Sequence, residues 1–350
     1  MVSAASQTQA SAWDQAADGW NSHATQVHAW LAHITKAMID AARIEPGWRV
    51  LDVAAGSGGQ TLDIARRVGA QGLVLATDIS PRILVLAQQN AAAAEFSQVQ
   101  TRVADAQALG LAGSDFDAAV CRLGLMFCPV PLSALMEICS ALKPGGHFAA
   151  VVFSTPQSNP CVALMMATAL KAAGVASPSP YTPGSLLSLG QPGLFAQLLD
   201  GAGFVDIDVQ PVSAPFELPS AKHYVDFVRA SGSPIMEILA PLSALAQTRA
   251  WDEMTTQLEI FLAPKGWIGP NELLLCSARR AAPANSMVQP VPSAVPILPM
   301  MARTISLPVQ PAGSMPSTLI SWFTDRHCRL CLKSRNFKDA DLTIGGAAHC

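Results

Sequence analysis

The segment of residues 49–61, RVLDVAAGSGGQT, constrains the fold of this chain more than any other stretch. Residues 50–53 form an apolar run that is too short for a helix, which predicts a buried strand. Glycines and other small residues follow at once, and from Leu62 onward apolar residues recur at helical spacing. A strand, a glycine turn and a helix in this order predict a ligand site, because the first N–H groups of a helix are free to bind a polar or anionic group.

The chain continues to alternate in this way as far as residue 280. Buried strands are predicted at residues 72–78, 99–104, 116–122, 147–153, 204–212 and 271–278, with helices or loops between them. The sequence Lys-Pro-Gly-Gly at 143–146 predicts a tight turn before the strand at 147–153. This alternation indicates an α/β fold, with a mostly parallel sheet and helices on both faces.

Three segments are expected along the chain. Residues 1–45 are predicted to form a helical cap or lid rich in tryptophan, after a disordered stretch at 1–12. Residues 46–280 form the main domain, with insertions at about 155–192 and 213–270 that would cover the ligand-binding edge of the sheet. Residues 281–350 are rich in proline without periodicity, which indicates a disordered tail.

The cysteines give no firm indication of a metal site. Cys328 and Cys331 form a C-x-x-C pair with His349 and Cys350 at the far end of the tail, but two adjacent ligands would strain tetrahedral zinc coordination. A loosely ordered tail without metal is therefore the preferred interpretation. The other cysteines lie among apolar residues and are expected to be reduced core residues: Cys121, Cys128, Cys139, Cys161 and Cys276.

Composition limits the classes of partner. Half of the residues are hydrophobic and 13% are charged, which excludes a globally disordered chain. A net charge of −3 gives no electrostatic footprint for a nucleic acid. The chain shows neither an apolar run of ~18 to 20 residues nor the pattern of a signal peptide. We expect a cytoplasmic protein without a membrane span, acting on a small molecule; its oligomeric state is left open.

Asp78 ends the second predicted strand, about 20 residues after the glycine turn. Folds of this class that bind nucleotides place a carboxylate there to hydrogen-bond the ribose hydroxyls. Ser80 and Pro81 already supply the cap and the first turn of the next helix, so Asp78 is not needed as a helix cap. We therefore predict that Asp78 binds a ribose.

Taken together, the motifs resemble those of class I S-adenosylmethionine-dependent methyltransferases, and in particular the branch related to the ubiquinone and menaquinone biosynthesis C-methyltransferases. VLDVAAGSGG matches the family's acid-x-Gly-x-Gly-x-Gly loop, with Ala54 at the first glycine, a substitution associated with that branch. ATDIS and VADAQAL match the acids after the second and third strands as Asp78 and Asp105. FDAAVCRLGLMF and LKPGG match the later motifs. The resemblance covers residues 13–280 and implies S-adenosyl-L-methionine as cofactor, in a Rossmann-like sheet of seven strands with the last one antiparallel.

The resemblance also implies roles for individual residues. Asp52 would face the amino end of the cofactor's methionine part, and Asp78 would hold the ribose. The other implied cofactor contacts are Ala54, Gly56 and Gly58 beneath the cofactor, Ile79 on the adenine face, Asp105 and Ala106 at the adenine edge, and Arg122 with Leu123 near the methionine part and the acceptor.

The methyl acceptor is expected to be small and partly apolar, with carbon, oxygen and nitrogen acceptors all open. Its pocket would be lined by the N-terminal tryptophans and by residues of the insertions: Met165, Met166, Tyr181, Phe227 and Met236. Candidate general bases are His23, His28 and His223, and the sequence does not choose among them. The five-residue spacing of His23, His28 and His33 does not place them on one helix face, which argues against a metal site there.

Three alternatives compete with this interpretation. A nicotinamide-dependent dehydrogenase needs a third glycine where this chain has Thr61, so its fingerprint fails. A protein that binds the cofactor but is inactive, and serves as a partner, stays open because intact acids do not prove turnover. Methylation of RNA or protein is disfavoured by the acidic balance of the chain.

Overall fold

A computed structural model describes residues 4–111, 113, 115–231 and 234–282. Seven strands form its central sheet, in the spatial order β3-β2-β1-β4-β5-β10-β6. Their bounds are β1 (Arg49–Val53), β2 (Leu73–Asp78), β3 (Val99–Val103), β4 (Phe116–Arg122), β5 (Leu142–Phe153), β6 (Phe204–Ser213) and β10 (Glu272–Arg280). A smaller sheet contains β7 (Phe216–Leu218), β8 (Leu262–Ala263) and β9 (Gly266–Gly269).

The central sheet is parallel except for its last strand. Strand β1 pairs in parallel with β2 and with β4, and β10 pairs antiparallel with both β5 and β6. Strand β1 is buried from Val50 to Val53, because it lies between two neighbours and is covered by helices. The α/β class and the seven-stranded, mostly parallel sheet with an antiparallel last strand are confirmed.

Ten α-helices accompany the strands in the described part of the chain. They are α1 (Ala4–Ser22), α2 (Ala24–Ala41), α3 (Gly59–Val68), α4 (Pro81–Ala93), α5 (Pro131–Ala141), α6 (Pro160–Ala173), α7 (Leu194–Gly201), α8 (Ala221–Ala230), α9 (Pro234–Leu239) and α10 (Ala244–Leu258). The strand order reverses at β1 and β4, and right-handed crossovers on either side of that point place α3 and α4 on one face and α5 on the other. Ligands of such sheets bind at this reversal, beyond the carboxyl ends of the strands.

Two local predictions are wrong. Residues 4–12, expected to be disordered, belong to α1, which continues as a single helix to Ser22 and buries Ala16 and Ala17. The predicted turn at 143–146 lies inside β5 instead. There Leu142 pairs with Phe116 and His147 pairs with Ala118, so extra residues are accommodated as a bulge, with Gly145 at φ 79°.

The smaller sheet lies within the second predicted insertion and was not foreseen. Its strands are two to four residues long, too short to show a period of two in the sequence. It is held by Trp267, which is buried and donates a hydrogen bond of 2.7 Å from Nε1 to the carbonyl of Leu258. Through β7 this sheet brings Phe216 to the edge of the site described below.

The cysteine prediction holds where the structure can test it. The five cysteines within the described ranges are buried and free: Cys121, Cys128, Cys139, Cys161 and Cys276. The possible zinc ligands Cys328, Cys331, His349 and Cys350 lie outside those ranges. Within them, no group of three or more His, Cys, Asp or Glu side chains could hold a metal ion, and no helix is long and apolar enough to cross a membrane.

Candidate functional site

A cavity of about 240 Å³ lies where the carboxyl ends of the parallel strands meet α1, α2 and the insertion around α8. Seven of the nine predicted cofactor contacts line it: Ala54, Gly56, Asp78, Ile79, Asp105, Ala106 and Arg122. The other two, Asp52 and Gly58, lie behind its wall. The cavity has a polar half, formed by the strand ends, and an aromatic half, formed by the helices and the insertion.

Asp52 is fully buried at the end of β1 and does not line the cavity. Gln60 Nε2 donates to its Oδ1 at 3.1 Å, and Thr61 Oγ1 donates to its Oδ2 at 2.6 Å. Burial raises the pKa of this carboxyl to about 6, although both hydrogen bonds oppose the rise. Asp52 therefore fixes the first turn of α3, and through it Gln60, which does line the cavity.

The glycine turn is shaped by backbone conformation and close packing. Gly58 has φ 90°, and a Cβ there would lie 3.3 Å from Ala87 on α4, so glycine lets the two elements approach. Ala54 takes φ 54° although it is not a glycine. A Cβ added at Gly124 would lie only 2.3 Å from the Cβ of Ala54. The alanine in the first motif is thus matched by a glycine after β4.

Asp78 stands at the end of β2 with its carboxylate toward the cavity. The N–H of Gly56 donates to Oδ2 and the N–H of Ser80 donates to Oδ1, both at 3.0 Å. Burial raises the pKa of Asp78, and these backbone hydrogen bonds hold the rise in check. Each oxygen keeps a further lone pair for a hydroxyl donor. Ser80 Oγ accepts from the N–H of Ile83 at 3.1 Å, which confirms its predicted role as the cap of α4.

Helix α1 reaches directly into this polar half. Ser6 Oγ donates to Asp105 Oδ2 at 2.6 Å, and Gln9 Nε2 donates to the carbonyl of Phe127 at 2.7 Å. Asp14 accepts from Ser80 Oγ and, at 3.2 Å, from the N–H of Arg82 at the start of α4. The first helix is therefore anchored to the ends of both β2 and β3.

Arg122 is the only lysine or arginine among the described residues that line the cavity. Its Nη1 donates to Thr35 Oγ1 at 2.6 Å, and no carboxylate within the described ranges forms a salt bridge with it. Burial lowers the pKa of Arg122 to about 10, so the guanidinium is still charged at neutral pH. Arg122 is a partly buried cation that forms no salt bridge within the described ranges and feels the carboxylates of Asp52 and Asp63 only at longer range, so it suits an anionic group of a ligand.

The other half of the cavity is walled by aromatic rings. Trp13 meets Phe127 edge-on with centroids 5.1 Å apart, and Trp30 stacks on Phe216 at 3.8 Å. Trp20 contacts the edge of Phe227 at 5.9 Å. Further apolar lining comes from Val27, Leu31, Phe153, Val162, Met165, Met166, Leu186, Val228 and Ile235. These surfaces favour an apolar ligand.

The predicted acceptor pocket is partly correct. Met165, Met166 and Phe227 line the cavity, whereas Tyr181 and Met236 do not. Tyr181 lies in the loop after α6, and its N–H binds Ser179 Oγ. Met236 packs on the hydrophobic core instead.

Sequence reasoning missed four aromatic residues of the cavity: Phe127, Phe153, Phe216 and Tyr224. Phe153 could have been found, because it ends a predicted strand at the edge where ligands bind. Tyr224 precedes Phe227 by three residues on α8, a spacing that puts both on one face of a helix. Phe216 lies in a strand that the sequence did not reveal.

The candidate bases are placed differently from one another. His28 lines the cavity, but its side chain is 51% exposed and its Nδ1 lies 3.7 Å from Asp63. His23 Nδ1 hydrogen-bonds the carbonyl of Gly19 at 2.9 Å, and His223 Nδ1 hydrogen-bonds Ser220 Oγ at 2.9 Å. Neither of these two histidines lines the cavity, so the geometry favours neither as a general base.

Comparison with known proteins agrees with this architecture. Residues 44–183 match a family model described as a methyltransferase domain. An uncharacterized protein of Mycobacterium tuberculosis strain H37Rv is 36% identical over 116 residues, which cover 33% of this chain and 41% of that protein. The chain thus matches less than half of the length of this curated relative.

Two solved structures are similar to this chain. YcgJ of Bacillus subtilis is 17% identical, with 71% of this chain and 99% of that chain covered and a TM-score of 0.49. Phosphoethanolamine N-methyltransferase 2 of Haemonchus contortus, in complex with S-adenosyl-L-methionine, is 17% identical, with 71% and 52% covered and a TM-score of 0.45. The family model matches the segment that contains the glycine turn and all nine predicted cofactor contacts.

Proposed function

We propose that this chain is an S-adenosylmethionine-dependent methyltransferase that acts on a small, partly apolar acceptor. The observation that carries the proposal is the convergence of Asp78, Asp105 and Arg122 on one cavity at the reversal of strand order, inside the segment that matches a methyltransferase domain. Each of the three follows or ends a different strand, so only the fold brings them together.

The donor set fits the chemical groups of this cofactor. Asp78 offers carboxylate lone pairs for the two ribose hydroxyls, and Asp105 with Ala106 would meet the edge of the adenine. Ile79 would cover an adenine face. Arg122, which lacks a salt bridge within the described ranges, would hold the carboxylate of the methionine part.

When bound, S-adenosylmethionine supplies a methyl group that breaks from its sulfonium sulfur and bonds to the acceptor's carbon, oxygen or nitrogen, while one proton leaves the acceptor. The chain's contribution is positioning, which is worth ~7 to 11 kcal/mol when two reactants are well aligned. Asp78 and Arg122 would hold the cofactor at its ribose and at its carboxylate. The aromatic half would exclude water around the acceptor.

A specific general base is not part of the proposal. An acceptor that ionises readily, such as a phenol or an activated ring carbon, can lose its proton without one, whereas a positioned base would add ~10²- to 10⁴-fold. The resemblance of the first motif, with Ala54 at its first glycine, to the quinone-related branch favours carbon methylation of a quinone precursor.

A second candidate is a protein that binds the cofactor without turnover. Its support is the lack of a well-placed base in the described part of the cavity, where His28 is half-exposed and directed toward Asp63. An assay with methyl-tritiated S-adenosylmethionine and a panel of phenols, hydroxyquinones and nitrogen heterocycles separates the two. Label that passes into the organic extract supports the methyltransferase. Saturable cofactor binding with no transfer to any member of the panel would favour the inactive partner.

A further inference from the structure

We infer that the aromatic half of the cavity takes an uncharged, planar aromatic molecule that carries one oxygen, and that the hydroxyl of Tyr224 hydrogen-bonds this oxygen. The inference rests on the proposed function and narrows its acceptor to one chemical class. It assigns Tyr224 as a residue that selects and positions the acceptor.

The shape of the wall points to a flat ligand. Phe216 stands at its centre: it stacks on Trp30 at 3.8 Å, meets Tyr224 edge-on at 5.0 Å and lies 5.7 Å from Phe227. Trp20 extends the wall by an edge contact with Phe227. Rings in stacked and edge-on geometry leave faces and edges for a further ring, which adds to the energy gained from buried area.

The charges of the cavity are confined to its polar half. Asp78, Asp105 and Arg122 belong to the strand ends that would hold the cofactor. Among the described residues of the aromatic half there is no lysine, arginine, aspartate or glutamate, and His28 is directed toward Asp63 at the outside. A charged acceptor would be buried there without a partner, which is strongly unfavourable.

The hydroxyl of Tyr224 is one of two unpaired polar groups that the described residues of this wall offer. The residue is buried, lines the cavity and stacks on Trp267 with centroids 5.1 Å apart. No other described residue engages its hydroxyl in a hydrogen bond. Burial raises the pKa of Tyr224, so at neutral pH the group is a hydroxyl, able to donate and to accept, and not a phenolate.

A second unpaired donor lies on the same wall. Trp20 Nε1–H is buried without a hydrogen-bond partner among the described residues, whereas Trp30 Nε1 donates to the carbonyl of Ala214 at 2.7 Å. Buried polar groups are rarely left unpaired in folded proteins. Trp20 Nε1 has almost no accessible surface, so a ligand oxygen would reach it only after a shift of the Trp20 ring.

The test uses three matched probes with the full chain: 2-naphthol, naphthalene and 6-hydroxy-2-naphthoate. Binding of each is measured by equilibrium dialysis, with and without saturating S-adenosylhomocysteine. Tyr224→Phe removes only the hydroxyl and keeps the ring on Trp267. Tyr181→Phe is the control, because Tyr181 is the chain's other tyrosine and does not line the cavity.

We expect 2-naphthol to bind at least about tenfold more tightly than the charged naphthoate. Tyr224→Phe weakens 2-naphthol binding by about 3- to 10-fold, the range for one neutral hydrogen bond, and leaves naphthalene binding unchanged. Tyr181→Phe changes neither. Equal binding of the charged probe, an equal loss for both neutral probes in Tyr224→Phe, no loss for 2-naphthol in that variant, or no binding of either neutral probe would each overturn the inference.

The affinities of the three probes are also compared on the wild-type chain alone, and this comparison does not require any variant to fold. Failure of the proposed function gives a different result, because no methyl label would then pass to any acceptor while the selectivity among the probes persists. Failure of the inference alone leaves cofactor binding intact and removes the selectivity.

Discussion

Ser6 Oγ donates a hydrogen bond of 2.6 Å to Asp105 Oδ2, and so joins the first helix to the acid that follows β3. The same helix binds the start of α4 through Asp14, which accepts from Ser80 Oγ and from the N–H of Arg82. Helix α1 therefore contacts Asp105, which we assign to adenine, and Ser80, which lies two residues after the ribose residue Asp78. A cofactor that reaches Asp105 must compete with Ser6 or displace it.

The anchoring of α1 predicts a kinetic effect of Asp14→Ala. This variant loses two hydrogen bonds between α1 and α4, so α1 should open more readily. We expect the association and dissociation rates of S-adenosylmethionine to rise together by about fivefold, the factor that corresponds to ~1 kcal/mol. Stopped-flow measurement of tryptophan fluorescence gives both rates. Gln7→Ala, at an exposed position of α1, is the control, and rates in Asp14→Ala equal to those of the wild type would contradict the assignment of α1 as a lid.

Asp78→Ala should weaken S-adenosylmethionine binding by ~1.5 to 3 kcal/mol, the scale for hydrogen bonds to a charged group. Calorimetric titration measures the loss. Because Asp78 also accepts from the N–H groups of Gly56 and Ser80, the thermal transition of the variant must be recorded alongside. Asp200→Ala removes an exposed acid on α7 and should leave the affinity unchanged. An intact variant that binds as the wild type does would remove Asp78 from the ribose site.

Arg122→Met should discriminate between a ligand that carries the methionine carboxylate and one that lacks it. Binding of S-adenosylmethionine should fall by about tenfold or more, because a charge-assisted hydrogen bond contributes ~1.5 to 3 kcal/mol. Binding of 5′-methylthioadenosine, which lacks the carboxylate, should not change. Arg66→Met serves as an exposed control. An equal loss for both ligands would show that Arg122 supports the fold of the site and does not hold a carboxylate.

Asp52 predicts a pH dependence of stability. Its pKa is about 6 in the folded chain and 3.8 ordinarily, so between these values the folded state binds the proton that the unfolded state has lost. Its contribution to the free energy of unfolding therefore falls as pH rises from about 4 to 6, by roughly 3 kcal/mol in total. Asp52→Asn removes this term. Urea unfolding of both proteins at pH 4 to 7 should show the wild type losing stability relative to Asp52→Asn across that interval. A constant difference would contradict the prediction.

The core of the fold could be predicted because the strands between helices are continuous apolar runs. Strand β4 has the bounds expected from the sequence, residues 116–122. The turn predicted at 143–146 was wrong because proline and glycine also permit a bulge, and only the pairing with β4 decides between the two. The sequence of residues 4–12 gives no sign of helix because its stability comes from contacts with distant residues, such as that of Ser6 with Asp105.

Only part of the candidate site could be predicted from the sequence. The acids at strand ends could be predicted, since they follow apolar runs at characteristic distances. The hydrogen bonds of Asp52 with Gln60 and Thr61 could not, because a local motif does not show which way its acid turns. The aromatic half depends on α1, α2, α8 and β7 meeting at one place, and no spacing in the sequence encodes that meeting. Tyr224 is visible only once this arrangement is known.

Calorimetric titration of the full chain with S-adenosylmethionine and, separately, with NADH tests the proposed cofactor. We expect saturable binding of S-adenosylmethionine at one site and no binding of NADH, because the cavity joins the glycine turn to Asp78, Asp105 and Arg122 while the dinucleotide fingerprint fails at Thr61. Binding of NADH without binding of S-adenosylmethionine would contradict the assignment of the glycine turn on which the proposed function rests.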